Sequence, residues 1–285
     1  MKIGFIGLGI MGESMSKRII DLHDDDVYVY DLDESKVDKL VSQGGIAAEN
    51  NKDLAKKSDM IFSMVPKSEH SEALYEEIKD ELNEDKIWVD MSTISPIVSQ
   101  EIAKQVQAKG ARFADAPVVK SKPAAISGDL GIYVGSTEEL HEVIRPILAY
   151  MGSNIIRMGS NGSGLVMKIC HNALVSQIQN GVNETLKLAL NSDIDIDDFV
   201  TAISYGGGQN FYLDSKSQVI KNQDYTTAFS IENMNKDLTI CLDLADAKNI
   251  KLPGIKNAKS VYSRAMEAGY GKDDFSKTFE VVKED

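Results

Sequence analysis

Cysteine is scarce: 285 residues contain Cys170 and Cys241 alone, and neither belongs to a pattern with metal-ligand spacing. That count and spacing weigh against a disulfide framework and a cysteine-based metal centre, and each thiol, set within an apolar helical pattern, is expected to be a reduced core side chain. Positive charge is also short. The 31 Lys and Arg are outnumbered by 44 Asp and Glu, giving a formal net charge of −13. Nucleic acids and anionic membrane surfaces attract basic proteins, so neither is expected as a partner, and an anionic ligand must be held by local cations. No apolar run reaches the ~18–20 residues that span a bilayer. The opening Met1–Gly7 has a basic start and an apolar core, but Gly4, Gly7, Gly9 and Gly12 interrupt it and no small-residue cleavage pattern follows. A buried first strand is expected there instead of a signal peptide, and the reduced cysteines fit a cytoplasmic location. Low-complexity stretches and internal repeats are absent as well.

What is present suits about two domains, each with a substantial core, since 42% of the residues are hydrophobic. Lys2–Ile6 reads as a short buried strand, Gly7-Leu8-Gly9-Ile10-Met11-Gly12 as a turn, and Met11–Leu22 as a helix. In that order each glycine serves a separate purpose, with a tight turn at Gly7, close backbone approach to a pyrophosphate at Gly9, and close helix packing at Gly12. The helix N-terminus then offers amides to the phosphates. Val27–Tyr30 forms a second strand, with Asp31 at its end. A carboxylate there can accept hydrogen bonds from the adenosine ribose and would repel a 2′-phosphate, and Leu32–Ser35 supplies no arginine to receive one. NAD is therefore expected over NADP. A helix cap for the segment from Glu34 is the structural alternative for Asp31.

Apolar runs at Asp59–Val65 and Lys86–Asp90 are short enough for buried parallel strands. Val65, Pro66, Ser92 and Thr93 lie just beyond their ends, where the cofactor cleft of an open sheet is lined. Further strands are expected at Arg112–Asp115, Gly131–Val134 and Asn154–Arg157, so the first domain, residues 1–160, is α/β. Residues 161–285 show helical patterns. A long helix from Gly164 to Asn191 carries Val166, Ile169, Ala173, Val182, Leu186 and Leu190 on an apolar track. Later helices are expected at Ile196–Ser204, Asn210–Asn222, Ile231–Lys248 and Gly254–Ala268. Gly206-Gly207-Gly208 reads as a flexible turn followed by core aromatics Phe211 and Tyr212.

Lys168 and Asn172 stand four residues apart on one face of the long helix, where a lysine and an amide can project together. At a cleft joining two halves they are the candidate active site; on an ordinary amphipathic helix Lys168 is a surface residue. His171, next to Asn172, suits either a donor to substrate or an edge-packed side chain.

Gly4-Phe-Ile-Gly-Leu-Gly-Ile-Met-Gly-Glu-Ser-Met15 resembles the opening signature of the β-hydroxyacid dehydrogenase family, which includes 3-hydroxyisobutyrate dehydrogenases and tartronate semialdehyde reductases. Asp90-Met-Ser-Thr-Ile-Ser-Pro96, Asp115-Ala-Pro-Val118, Gly162-x-Gly164-x-x-x-Lys168-x-x-x-Asn172 and Met234-Asn-Lys236-Asp237-Leu238 are similar to its further motifs, in the expected order. The resemblance implies an N-terminal Rossmann-like dinucleotide-binding domain, an all-helical C-terminal domain, and assembly as a homodimer or homotetramer. It further implies Lys168 as catalytic acid/base, Asn172 as a substrate-positioning residue, and Lys236 near the cofactor. After Val118 the family usually has Ser-Gly-Gly, whereas this chain has Val119-Lys120-Ser121. That change removes close backbone approach and adds a cation. A basic residue at Lys120 is similar to sulfolactaldehyde reductases of the family, so a sulfonate or phosphate head joins the carboxylates as a candidate. The other account of Lys120 and Lys122 is a pair of solvated loop lysines.

Moving hydride between an alcohol carbon and nicotinamide requires a proton to move at oxygen, and a lysine serves both directions if its pKa is drawn toward neutrality. Lys168 is the candidate, with Asn172 orienting the oxygen and Ser92, Thr93, Lys120 and Ser121 facing the anionic end of a small substrate. No metal cluster is expected. Imine reduction, or a non-catalytic nucleotide-sensing role, are the competing readings. Lys168 weighs against the first, and the joint presence of cofactor and catalytic motifs against the second.

Overall fold

The computed structural model describes residues 1–284. Two compact units divide the chain between Lys168 and Ile169. The division falls inside a helix, eight residues beyond the boundary at 160 expected from sequence, because the first turn of that helix packs with the sheet unit.

The first unit alternates β1 (Ile3–Ile6), α1 (Ile10–Leu22), β2 (Val27–Tyr30), α2 (Glu34–Val41), β3 (Ile46–Ala47), α3 (Asn51–Lys57), β4 (Met60–Ser63), α4 (Ser68–Ile78), β5 (Ile87–Asp90), α5 (Pro96–Ala108) and β6 (Arg112–Asp115). It continues with β7 (Val118–Val119), α6 (Lys122–Ser127), β8 (Leu130–Gly135), α7 (Glu138–Leu148) and β9 (Gly152–Gly159). The strands lie in the order β3-β2-β1-β4-β5-β6-β8-β7, with β9 paired to β8. From β3 to β6 all neighbours are parallel, the doubly wound order with its switch point beside β1. β8 then runs antiparallel to β6 and β7.

Strict alternation explains why the runs Val27–Tyr30, Met60–Ser63 and Ile87–Asp90 are apolar at nearly every position. Ile3, Phe5, Val27, Val29, Met60, Phe62, Ile87 and Val89 enter one core with α1 residues Met15 and Ile19. Tyr28, Ile61, Trp88 and Phe113 enter the other, with Leu54, Leu74 and Ile102 of α3, α4 and α5. A strand buried on both faces has no polar side to show.

The second unit begins within α8 (Ser163–Leu190) and adds α9 (Ile196–Ser204), α10 (Phe211–Asn222), α11 (Ile231–Ala247), α12 (Pro253–Glu267), a 3₁₀ turn at Phe275–Lys277 and α13 (Thr278–Glu284). Asp195, Asn210 and Ser230 cap α9, α10 and α11 through their side chains. Ile169 and Ala173 of α8 pack with Met234, Leu238 and Cys241 of α11 and with Tyr262. Three expectations for this half are corrected. Cys170 is exposed, one position off the buried Ile169–Ala173 stripe, while Cys241 is buried and its thiol is pushed up to about 11 by desolvation. Leu190, the last residue of α8, is exposed beside buried Ala189. Phe211 is 85% exposed while Tyr212 is buried and donates to Asn183 at 3.1 Å. Neighbours on a helix point about 100° apart, so one of the two aromatics had to face away.

Candidate active site

The ends of β1, β4, β5 and β6 follow one another along the C-terminal edge of the sheet. After β1, Gly7 takes φ +90°, and a Cβ there would run into the Met64 carbonyl beyond β4. Glycine meets both demands. A Cβ at Gly12 would collide with the Gly7 carbonyl oxygen, so α1 starts hard against the turn. A Cβ at Gly9 would meet nothing within 4 Å. Gly9 is the N-cap of α1 and gives its first turn no side-chain acceptor, leaving the amides of that turn to a ligand. Leu8 is buried beneath the turn, Met11 half-buried and Ile10 exposed. These residues fit a dinucleotide pyrophosphate: a bare backbone approach over Gly9 and amides behind it, with Glu13, the one acidic side chain of that first turn, paired to Lys39 at 2.7 Å.

Asp31 follows β2. Its Oδ2 accepts from the Leu8 amide at 2.6 Å, its Oδ1 from the Asp33 amide at 2.9 Å, and Lys36 Nζ lies 3.3 Å from Oδ1. The capping side chain of α2 is Asp33, which accepts from Ser35, so Asp31 is not the helix cap. Instead its carboxylate ties the end of β2 to the glycine turn. Lys36 sits just past the Leu32–Ser35 window that lacks arginine. A cation five residues beyond Asp31 becomes visible only when α2 folds it back.

Asp90 ends β5, buried, and accepts from Ser63 Oγ and Ser71 Oγ at 2.9 Å each and from the Ser92 amide at 3.1 Å. Burial raises its pKa against the pull of those donors. Ser92 is itself buried, and its Oγ accepts from the Val65 amide at 2.8 Å. Ser92 thus joins the chain after β4 to the chain after β5, beside half-buried Thr93.

The loop after β6 carries the departure at Val119–Ser121. Lys120 stands at φ 77°, a backbone state natural to glycine and costly for lysine. Its ammonium pairs with Asp129 at 2.5 Å, and Asp129 also accepts from Ser153 Oγ. Ser121 is the N-cap of α6 without a side-chain cap bond.

On α8, Lys168 is only 8% exposed and Asn172 5%, one turn apart on the same face. The ordinary surface reading of Lys168 does not apply. In the second unit Asn172 Nδ2 donates to Asp237 Oδ2 at 2.6 Å, and Lys236 Nζ lies 3.3 Å from Asp237 Oδ1. Buried Asp237 therefore joins Asn172 of α8 to Lys236 of α11 and fixes which way the amide faces. From sequence Asp237 is only a member of the Met234–Leu238 motif with no role of its own; its position beside a candidate lysine in a mostly apolar helix was the available signal. The structure thus groups Gly7–Gly12 with Asp31, Val65 with Ser92, and Asn172 with Lys236. Lys120 it turns toward Asp129. Among the described residues no group of three or more His, Cys, Asp or Glu could hold a metal ion, and no helix is long and apolar enough to cross a membrane.

Comparison with known proteins gives the same outline. Residues 2–159 match the NAD binding domain of 6-phosphogluconate dehydrogenase, and residues 162–282 match the NAD-binding domain of NADP-dependent 3-hydroxyisobutyrate dehydrogenase. The chain is 32% identical to mitochondrial 3-hydroxyisobutyrate dehydrogenase of Drosophila melanogaster, over 99% of this chain and 90% of that protein. It is 31% identical to 2-(hydroxymethyl)glutarate dehydrogenase of Eubacterium barkeri, over 99% and 94%. In fold it is similar to Mycobacterium tuberculosis 3-hydroxyisobutyrate dehydrogenase solved with L-serine, at TM-score 0.93 and 24% identity over 99% of both chains. With both halves matched in sequence and a glycine turn built to take a dinucleotide, the chain belongs to the NAD(P)-dependent β-hydroxyacid dehydrogenase family.

Proposed function

We propose that the protein interconverts a small β-hydroxy acid and its semialdehyde, with Lys168 as general acid/base and NAD as the preferred cofactor. The observation that carries this reading is a buried lysine one helical turn from an amide whose orientation a buried carboxylate holds. The nicotinamide, when bound, supplies the carbon that accepts or returns hydride. Lys168 Nζ takes the hydroxyl proton in oxidation and returns it to the carbonyl oxygen in reduction. Asn172 orients that oxygen without adding charge. The first-turn amides of α1 hold the pyrophosphate over Gly9, Asp31 takes the ribose, and Val65, Pro66, Thr93 and Lys236 face the cofactor. Thr93 and Ser121 are assigned to the anionic end of the substrate; Ser92, buried and already bonded to Val65, sets that loop, and Lys120 is engaged by Asp129. The test is nucleotide reduction with hydroxy acids, and absence of turnover across them overturns the reading.

Within that proposal a carboxylate substrate is favoured over a sulfonate, because the relatives named above are dehydrogenases of carboxylate-bearing hydroxy acids and the Lys120 cation has a partner in Asp129. An exposed pair of this kind is worth ~0–1 kcal/mol. Lys120→Ala is expected to change the Michaelis constants for carboxylate substrates by less than about threefold and to leave their ranking intact. A selective loss of activity toward sulfolactaldehyde would instead return Lys120 to the substrate's head group. Asp31→Ala is expected to relax the preference for NAD while weakening both cofactors, since the Leu8 amide loses its acceptor. Wild-type preference for NADPH in matched titrations would end the ribose argument and point to Lys36. Assembly as a homodimer or homotetramer is part of the same reading. It is supported by Leu174 and Leu188 standing exposed on α8, with Tyr205 and Phe211 also exposed in the same unit; a monomer by light scattering would refute it.

A further inference from the structure

Asp115 ends β6 with a side chain wholly buried, in a place where a carboxylate is costly. Its Oδ1 accepts from the Gly162 amide at 2.6 Å and its Oδ2 from the Leu165 amide at 2.9 Å. Those are amides of the turn that opens α8 and of its first turn, three residues ahead of Lys168. The chain is shaped around the carboxylate. A Cβ on Gly135 would fall on Asp115 Oδ1, and a Cβ on Gly164 would press on Asp115 Oδ2 and the Tyr133 carbonyl. Two glycines, on β8 and on α8, thus leave a socket that a carboxylate fills. Asn161 adds a separate hold on the preceding turn, donating to the Phe113 and Gly135 carbonyls at 2.8 and 3.2 Å. Asp115 reaches the helix's own amides.

We propose that Asp115 is a positioning residue for Lys168: by gripping the opening amides of α8 with both oxygens it fixes the axial place and rotation of the turn that carries the amine. The proposal rests on the reading of Lys168 as acid/base. A helix turn is stiff, so a shift at Leu165 is carried to Lys168, and a misplacement of ~1 Å at a reacting group costs about 10²-fold. The grip needs the ionised carboxylate, because a protonated oxygen becomes a donor facing an N–H and one of the two bonds is lost. Burial pushes the Asp115 pKa up to about 6, against the two amides and with the Asp90 charge adding to the rise. Asp90 on β5 is the charged group that acts on it; Tyr133 on β8 and Lys168 on α8 are the titratable residues of the elements that form its socket. On α5, which packs against β6, Glu101 and Lys104 pair with each other at the surface, 3.2 Å apart.

Asp115→Asn keeps shape and one acceptor and loses the second. It is expected to lower kcat roughly 10- to 100-fold with the NADH dissociation constant within about twofold of wild type. In the wild type, kcat for NADH-dependent aldehyde reduction, in which Lys168 must carry its proton and so adds no acid limb of its own, is expected to fall as pH drops through about 6, and in Asp115→Asn that limb disappears. The wild-type profile carries the test even if the variant folds poorly: no limb near 6 overturns the proposal. So does a stably folded Asn variant with wild-type kcat, or one whose limb persists. If Lys168→Ala is inactive while Asp115→Asn is unchanged, positioning fails and the acid/base reading stands. If Lys168→Ala keeps wild-type turnover, the reading itself fails.

Discussion

Lys168→Ala is expected to reduce turnover by ~10²–10⁴ while the NADH dissociation constant stays within about twofold, because general acid/base assistance is lost and nothing that holds the cofactor is touched. The glycine turn and Asp31 are built by β1, α1 and β2, and Leu8 is bonded to Asp31 without help from α8. Lys168→Arg sharpens the result. Arginine keeps the positive charge but holds its proton near neutral pH, so it is expected to stay as slow as alanine. Recovery with arginine would mean that the cation matters for electrostatics alone, and proton transfer would have to be assigned elsewhere. The Michaelis constant is the less informative quantity here, since an interaction made chiefly in the transition state leaves it nearly unmoved.

The second large effect separates two glycines three residues apart. Gly12→Ala forces a methyl group onto the Gly7 carbonyl oxygen, so the turn and the first helix cannot both keep their places. Loss of NADH binding is expected together with a lower melting temperature. At Gly9 a methyl group has open space, so Gly9→Ala should melt like the wild type. It is nevertheless expected to bind NADH more weakly, because the methyl group stands where the pyrophosphate must approach the backbone. Titration by NADH fluorescence beside thermal unfolding reads both. Equal melting with undiminished binding in Gly9→Ala would remove the pyrophosphate from this turn.

Much of the fold was legible because its signals are local. Val27–Tyr30 and Arg112–Asp115 are strands at the expected bounds, and α9 is a helix at Ile196–Ser204. Short apolar runs with charged residues between them leave few alternatives for an alternating α/β chain. The division at Lys168 was less visible, since packing and not local pattern decides where a compact unit ends. The same holds for Cys170 and Phe211, apolar residues on helix faces that the folded unit leaves exposed. For the candidate site, residue types and positions were readable, but partners were not. Asp115 meets Gly162 and Leu165 across 47 and 50 residues, and Asn172 meets Asp237 across 65. No periodicity carries such information. Lys120 shows the same limit at short range: its cation could be read from the sequence, its neutralisation by Asp129 through the return of α6 could not.

The central claim is most directly tested by nucleotide reduction with 3-hydroxyisobutyrate and 2-(hydroxymethyl)glutarate, run with NAD and NADP, and by NADH oxidation with methylmalonate, tartronate and succinic semialdehydes and sulfolactaldehyde. The account predicts NAD-linked turnover with at least one carboxylate-bearing pair, lost in Lys168→Ala. NADH binding without turnover on any of them, or turnover that survives Lys168→Ala, would contradict it.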